Sequence, residues 1–208
     1  MADIQAFRDA VGCWAADGPG EPAGLAKDLA VELGLRTAVL LEGLSDLAAV
    51  EALAARRGRD LAAEGVCVVP MGGAMNIGRY AGLLGPPGLG LHLSGLCDER
   101  EQPFYDRGLK RAGAPHRGFF VCVADLEDEL IRALGTERVE EIIEAEGDLR
   151  AWQTFLRQPA QHGRPRHGQL RRFLGTKKGR KIRYGRLLVE ALGPGQVPAP
   201  LDDLFTSL

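Results

Sequence analysis

The 208-residue sequence has only four cysteines, Cys13, Cys67, Cys97 and Cys122, and no C-x-x-C pair among them, which excludes a zinc knuckle and a disulfide-dense secreted scaffold. Three of them sit in apolar runs, where thiols serve as core filler. No apolar run reaches about 18 residues and no charged-then-apolar leader opens the chain, so neither a membrane span nor a signal peptide is expected and the reading is a reduced, cytoplasmic protein. No G-x-x-x-x-G-K-[ST] occurs, so no P-loop is encoded here. Aromatic residues are scarce, at 6%, and form no row suited to base stacking.

What is present is a core and an uneven charge. With 45% hydrophobic and 26% charged residues the chain can bury one real core, which excludes a disordered tail or a coiled coil. The net charge of −2 says nothing of a partner, but its distribution does. Between Arg157 and Arg186 stand eleven Lys or Arg and no Asp or Glu, leaving 15 basic against 28 acidic residues elsewhere, a net of −13. Between Asp125 and Asp148 ten acids face only Arg132 and Arg138. Two such blocks can simply neutralise each other.

Four short apolar runs, residues 37–41 (TAVLL), 66–70 (VCVVP), 91–97 (LHLSGLC) and 118–123 (GFFVCV), suit strands buried between two helical layers. Between the first two, residues 45–57 place Leu47, Val50, Leu53 and Ala54 on one helical face, with Ser45 as the expected cap. Residues 76–84 and 103–112 give two more helices. Strand, helix, strand is thus read three times, which predicts an α/β fold with an open, mainly parallel four-stranded sheet of the Rossmann-like kind.

Residues 4–16 and 24–33 are expected to be helices covering the sheet edge, separated by a Gly-Pro-Gly-Glu-Pro break. Beyond the sheet, helices are expected at 126–134, 138–146, 149–156, 169–174 and 182–192. The implied organisation is an N-terminal helical segment at 1–35, an α/β core at 36–134, a helical extension with the basic segment at 135–192, and a loose Pro/Gly-rich tail at 193–208.

Ligands of such sheets bind beyond the carboxyl ends of the strands. Here those ends are acidic: Glu42-Gly43-Leu44-Ser45-Asp46 after the first strand, Asp98-Glu99-Arg100-Glu101 after the third, Asp125-Leu126-Glu127-Asp128-Glu129 after the fourth. Carboxylates from adjacent strand ends repel unless a cation or protons sit among them, and all-oxygen ligation favours Mg²⁺ or Mn²⁺ over zinc. The plain alternative is helix capping by Ser45 or Asp46, Asp98 and Asp125. Glu42 fits capping least, because it precedes the helix and follows directly on a buried run. The second strand leads instead into Gly72-Gly73, either an ordinary turn or a pair of backbone N–H groups for a phosphate.

These residues resemble a known family. Leu40-Leu41-Glu42-Gly43-Leu44-Ser45-Asp46, Val69-Pro70-Met71-Gly72-Gly73 and Leu96-Cys97-Asp98 resemble the successive motifs of a Toprim (topoisomerase–primase) domain, and most closely the Toprim module of the overcoming-lysogenization-defect (OLD) nucleases. The similarity covers roughly residues 36–134 and, more loosely, 176–192. It implies that Glu42 is a metal-linked carboxylate with a part in proton transfer, that Asp46 and Asp98 are metal ligands, and that Asp125 and Glu127 form a later acidic motif. The family's Asp-x-Asp is broken, since Arg100 stands at its second acid; either Glu99 or Glu101 substitutes or one metal position is weakened, and Glu101 is preferred because it returns to the same face if a helix begins at Asp98.

The resemblance also assigns Lys181 as a catalytic lysine at the scissile phosphate. It implies two Mg²⁺ or Mn²⁺ ions about 4 Å apart acting on an in-line phosphoryl displacement, with DNA as substrate and a separate ATPase subunit as a possible partner. Lys177, Lys178, Arg180 and Arg183 are the expected nucleic-acid contacts, binding phosphates without sequence preference. Three readings compete: a metal-dependent DNA nuclease, a non-catalytic Toprim-like scaffold that Arg100 would favour, and, lowest, a small-molecule phosphatase, whose nucleophilic aspartate should stand where Glu42 is. The plain reading of the basic run is a solvated helix face.

Overall fold

A computed structural model describes residues 3–115 and 118–208. Four strands, β1 (Thr37–Leu41), β2 (Val66–Pro70), β3 (His92–Asp98) and β4 (Phe119–Cys122), form one sheet in the order β2-β1-β3-β4 with every pair parallel. The period of two sorts their side chains onto two cores. Val39, Leu41, Val66, Val68, Leu96 and Cys122 enter one, and Ala38, Leu40, Cys67, Val69, Leu93, Cys97 and Phe119 enter the other. Both faces are covered, which is why these strands are continuous apolar runs rather than alternating ones. Burial pushes the Cys67 and Cys97 thiols up to about 12, consistent with inert core cysteines.

The second core is closed by α1 (Ile4–Asp17), α2 (Glu21–Glu32), α4 (Ile77–Leu84) and α5 (Gln102–Arg111). Helix α2 starts at Glu21, three residues before the expected boundary, because Pro22 sits in its first turn, where a missing N–H costs nothing. Helix α1 does cover an edge: Arg8 Nε donates to the Val68 carbonyl of edge strand β2 at 2.7 Å. The first core takes α3 (Leu44–Arg56) and the helices after β4, namely α6 (Leu126–Leu134), α7 (Thr136–Ala145), α8 (Leu149–Leu156), α9 (Arg166–Leu174), α10 (Lys178–Ala191) and α11 (Ala199–Ser207).

Two expectations are corrected. Ser45 does not cap α3; Gly43 holds that position and Ser45 is buried in the first turn, while the Asp46 carboxylate accepts from the Gly43 N–H at 2.9 Å. The end of the chain is not a loose tail. The Pro/Gly signal is real at 193–198, but Leu201, Leu204 and Phe205 of α11 are buried in the first core. Arg59 donates to the Phe205 carbonyl at 2.8 Å, and Arg57 pairs with Asp202 and lies over the Phe205 ring.

The helix that matters most for the site is α10, which runs along α3. A Cβ on Gly185 would lie 2.5 Å from the Ser45 carbonyl oxygen, so only glycine permits this approach. Near its other end, Arg56 of α3 reaches the last carbonyls of α10, Val189 and Leu192. Pinned at both places, α10 carries Lys181 over the carboxyl ends of the strands.

Candidate active site

The chain leaves β1 toward β2 on one side and returns to place β3 on the other, so β1 and β3 flank the point where strand order reverses. A crevice opens there in any parallel sheet of this kind. Glu42 follows β1 directly and Asp98 ends β3, one on each side of it. Asp46 comes from the first turn of α3, and Asp125 and Glu127 from the start of α6 after β4.

The five carboxylates are close enough to act on one another. Asp98 is pushed up to about 8 by burial and then by the charges of Glu42, Asp125, Asp46 and Glu127. Burial, followed by the charge of Glu127, pushes Asp46 up to about 7, against the opposing Gly43 hydrogen bond and Lys181. Glu42 and Glu127 are also raised, chiefly by lost solvent, with Lys181 the main opposing charge in each case. Such shifts arise where negative charge exceeds the cations present.

Two cations enter this ring. Lys181 Nζ lies 3.3 Å from Glu127 Oε1, and the pull of Glu127 and Asp46 outweighs the burial that would otherwise lower its pKa, keeping it charged. Arg171 of α9 holds Asp125 through Nε at 2.7 Å and a second guanidinium nitrogen at 2.6 Å. Sequence reasoning missed Arg171; its only signal was membership of the basic block. Next to it, His167 Nε2 lies 2.6 Å from Asp128.

At the broken Asp-x-Asp the side chains differ in burial. Arg100 is exposed, whereas Glu101 is partly buried and its charge reaches Glu42. Glu99, in the same 3-10 turn, is exposed. Gly72 and Gly73, with φ of 73° and 129°, make a turn only glycine adopts easily. The Gly73 N–H is spent on the Glu42 carbonyl at 2.9 Å, so it ties the two strand ends together and is not offered to a phosphate. Asp125 caps α6, accepting from the Asp128 N–H at 2.8 Å, and also pairs with Arg171.

The expected nucleic-acid contacts divide. Lys177 and Lys178 are exposed at the start of α10. Arg180 is turned inward: its side chain is 8% exposed, its guanidinium lies 4.1 Å from the Phe173 ring centroid, and it pairs with Asp148 at 3.3 Å. Arg183 joins the same aspartate, and the Tyr184 hydroxyl donates to it at 3.1 Å. Arg180, Arg183, Tyr184 and Asp148 thus form a hub in which both arginines already have a carboxylate partner.

Residues 35–99 match the family model for the overcoming lysogenization defect protein-like TOPRIM domain. This segment is similar to an OLD-like Toprim domain. The fold of the chain is similar to that of the C-terminal region of the Burkholderia pseudomallei OLD protein, with a TM-score of 0.60 at 22% identity over 83% of this chain and 96% of that one. It is similar also to the C-terminal region of the Xanthomonas campestris pv. campestris OLD protein, with a TM-score of 0.59 at 26% identity over 83% of this chain and 93% of that one. A search of curated proteins finds no match. The Toprim likeness covers β1, α3, β2, α4 and β3, the segment that supplies Glu42, Asp46 and Asp98. Among the described residues no helix is long and apolar enough to cross a membrane.

Toprim domains bind divalent metal, and the donor set here fits one: it is all oxygen, it is short of positive charge, and Glu127 Oε2 is buried with no hydrogen-bond partner. As they stand, no three acidic, His or Cys residues among those described enclose an ion. Asp46 is held by Gly43, Asp125 by Arg171 and Glu127 by Lys181.

Proposed function

We propose that this protein is a divalent-metal-dependent nuclease that hydrolyses phosphodiester bonds in DNA, acting on a backbone phosphate held at the crevice between β1 and β3. The observation that carries the reading is the convergence of Glu42, Asp46 and Glu127 from separate elements around the ammonium of Lys181, with Asp98 within reach of the charges of all three carboxylates. Glu42, Asp46 and Asp98 would hold the metal, with Glu101, Asp125 and Glu127 completing its surroundings. Bound there, Mg²⁺ or Mn²⁺, as one ion or two, supplies Lewis acidity for phosphoryl transfer.

The chain's own residues would do the rest. Lys181 is charged and donates to a non-bridging phosphate oxygen as negative charge grows in the transition state. Glu42 faces solvent at the end of β1, with a pKa above the usual carboxylate range, and can accept and release the proton of the attacking water. Arg171 keeps Asp125 oriented toward the ring. The OLD relatives present this fold as a C-terminal region, and a separately supplied ATPase subunit is part of the proposal.

The test is incubation with supercoiled and linear DNA in Mg²⁺ or Mn²⁺. The reading expects cleavage that EDTA abolishes and that Glu42→Ala or Asp98→Ala lowers by about 1000-fold, the scale of losing a main stabilising group. Cleavage that survives both substitutions overturns it. A second reading, a non-catalytic scaffold, draws on the internal pairing of Asp125 and Glu127 with Arg171 and Lys181 and on Arg100 at the second acid. It expects no carboxylate-dependent Mn²⁺ binding.

A further inference from the structure

The eleven cations of the basic block fall into two sets. Arg166, Arg171, Arg180, Lys181, Arg183 and Arg186 each face a carboxylate, mostly from the acidic stretch before them. Among the described residues Arg157, Arg164, Arg172, Lys177 and Lys178 make no ion pair, and all five are exposed. The acidic and basic blocks therefore cancel over most of their length, and what remains is a smaller set of free cations.

Three of those cations, Arg164, Arg172 and Lys177, line two neighbouring clefts. A cleft of about 610 Å³ runs between α9 and the start of α10, with Arg164, Arg172 and Thr176 along it and Asp125, Glu127 and Lys181 at its inner end. Its acidic floor is already neutralised: Asp125 by Arg171, Glu127 by Lys181, Asp128 by Arg132 and, when protonated, His167. Beyond the α9–α10 turn a second cleft of about 550 Å³ presents Arg150 and Lys177. Phe155 and Thr176 line both clefts, so the two adjoin at the turn.

We propose that these adjoining clefts form one groove, the path of the DNA backbone, with Arg164 and Arg172 flanking the phosphates next to Lys181 and with Lys177 and Arg150 holding more distant ones. The assignment rests on the nuclease reading for its polarity toward Lys181, and on the groove's own charge for the choice of a polyanionic strand. It replaces Arg180 and Arg183, which the fold consumes, by residues that only the folded chain brings into line. Such contacts fix register without reading bases.

The experiment is fluorescence anisotropy with a labelled DNA duplex in EDTA, where hydrolysis cannot interfere, across a range of salt. Each phosphate contact contributes roughly 0.9 to the slope of log affinity against log salt. Arg164→Ala combined with Arg172→Ala should lower that slope by roughly two and weaken binding at low salt by more than about tenfold. Arg186→Ala, which removes an equally exposed arginine paired with Glu190 outside the groove, should leave the slope unchanged.

An unchanged slope in the double variant, or an equal loss in Arg186→Ala, overturns the path. Thermal melting confirms folding, and neither Arg164 nor Arg172 makes an ion pair that its loss would break. Failure of the nuclease reading is seen separately: DNA bound with the wild-type slope but never cut in Mg²⁺ or Mn²⁺ sinks that reading and leaves the groove intact. If the wild type does not bind DNA the groove assignment falls, and carboxylate chemistry is then tested on bis-p-nitrophenyl phosphate.

Discussion

Asp148 and Asp98 are both partly buried aspartates, and they sit in opposite surroundings. Around Asp148 stand Arg180, Arg183 and the Tyr184 hydroxyl, all from one stretch of α10. Burial alone would raise its pKa, but the Arg180 hydrogen bond and charge and the Tyr184 hydroxyl lower it below the usual value. Around Asp98 stand four other carboxylates, and its pKa climbs to about 8. One helix serves both centres, sending two arginines to Asp148 and a single lysine to the strand ends. A carboxylate that the fold supplies with cations is a structural fastener; one left short of them is prepared for a ligand from outside.

The contrast can be broken most visibly at Lys181. Lys181→Ala should lower DNA cleavage by about 100- to 1000-fold while sparing Mn²⁺ binding, which parallel cleavage and metal-binding assays would check. Equal loss of both would make the lysine a structural partner of Glu127. At the other centre the expectation reverses. Asp148→Ala strands the buried Arg180 guanidinium, and urea unfolding should show a loss of about 3 kcal/mol, with cleavage reduced only as the folded fraction falls.

The pH dependence should differ in sign. Asp148 has a depressed folded pKa, so its stabilisation is full above the ordinary value near 3.8 and is lost as pH falls through the lower folded value. Asp46 and Asp98 have raised folded values, about 7 and about 8, so without metal their stability is full below about 3.8 and declines as pH rises toward 8. Thermal melting from pH 4 to 8 in EDTA should show this decline, and Asp98→Asn should flatten it; an identical profile in the variant would refute the crowding of charge. The smallest effects belong to the broken motif. Glu101→Ala should weaken Mn²⁺ binding by about 10-fold, and Arg100→Ala should not change it.

The strands and the acids that follow them were readable because both signals are local. An apolar run followed at once by Glu42, or ending at Asp98, marks a strand and its end without any knowledge of packing. The Toprim resemblance likewise rests on residues close in sequence, and the fold brings the Glu42, Asp46 and Asp98 that it names within reach of one another's charge. What was not readable depends on distant partners. Arg180 and Lys181 are adjacent in the chain, yet helical geometry sends one to Asp148 and the other to Glu127, and a charge run cannot announce that division. Arg171 became visible only once α9 lay against α6. The last helix was a different failure, since the spacing of Leu201, Leu204 and Phe205 was present and the Pro/Gly stretch before them obscured it.

The central claim is that carboxylates from separate strands share a divalent ion. Titrating Mn²⁺ into the wild-type protein and into Glu42→Ala and Asp98→Ala, with free Mn²⁺ followed by electron paramagnetic resonance, addresses it directly. The account expects saturable binding in the wild type that is lost in each variant with the fold intact. Undiminished binding in both variants, or none in the wild type, would contradict it.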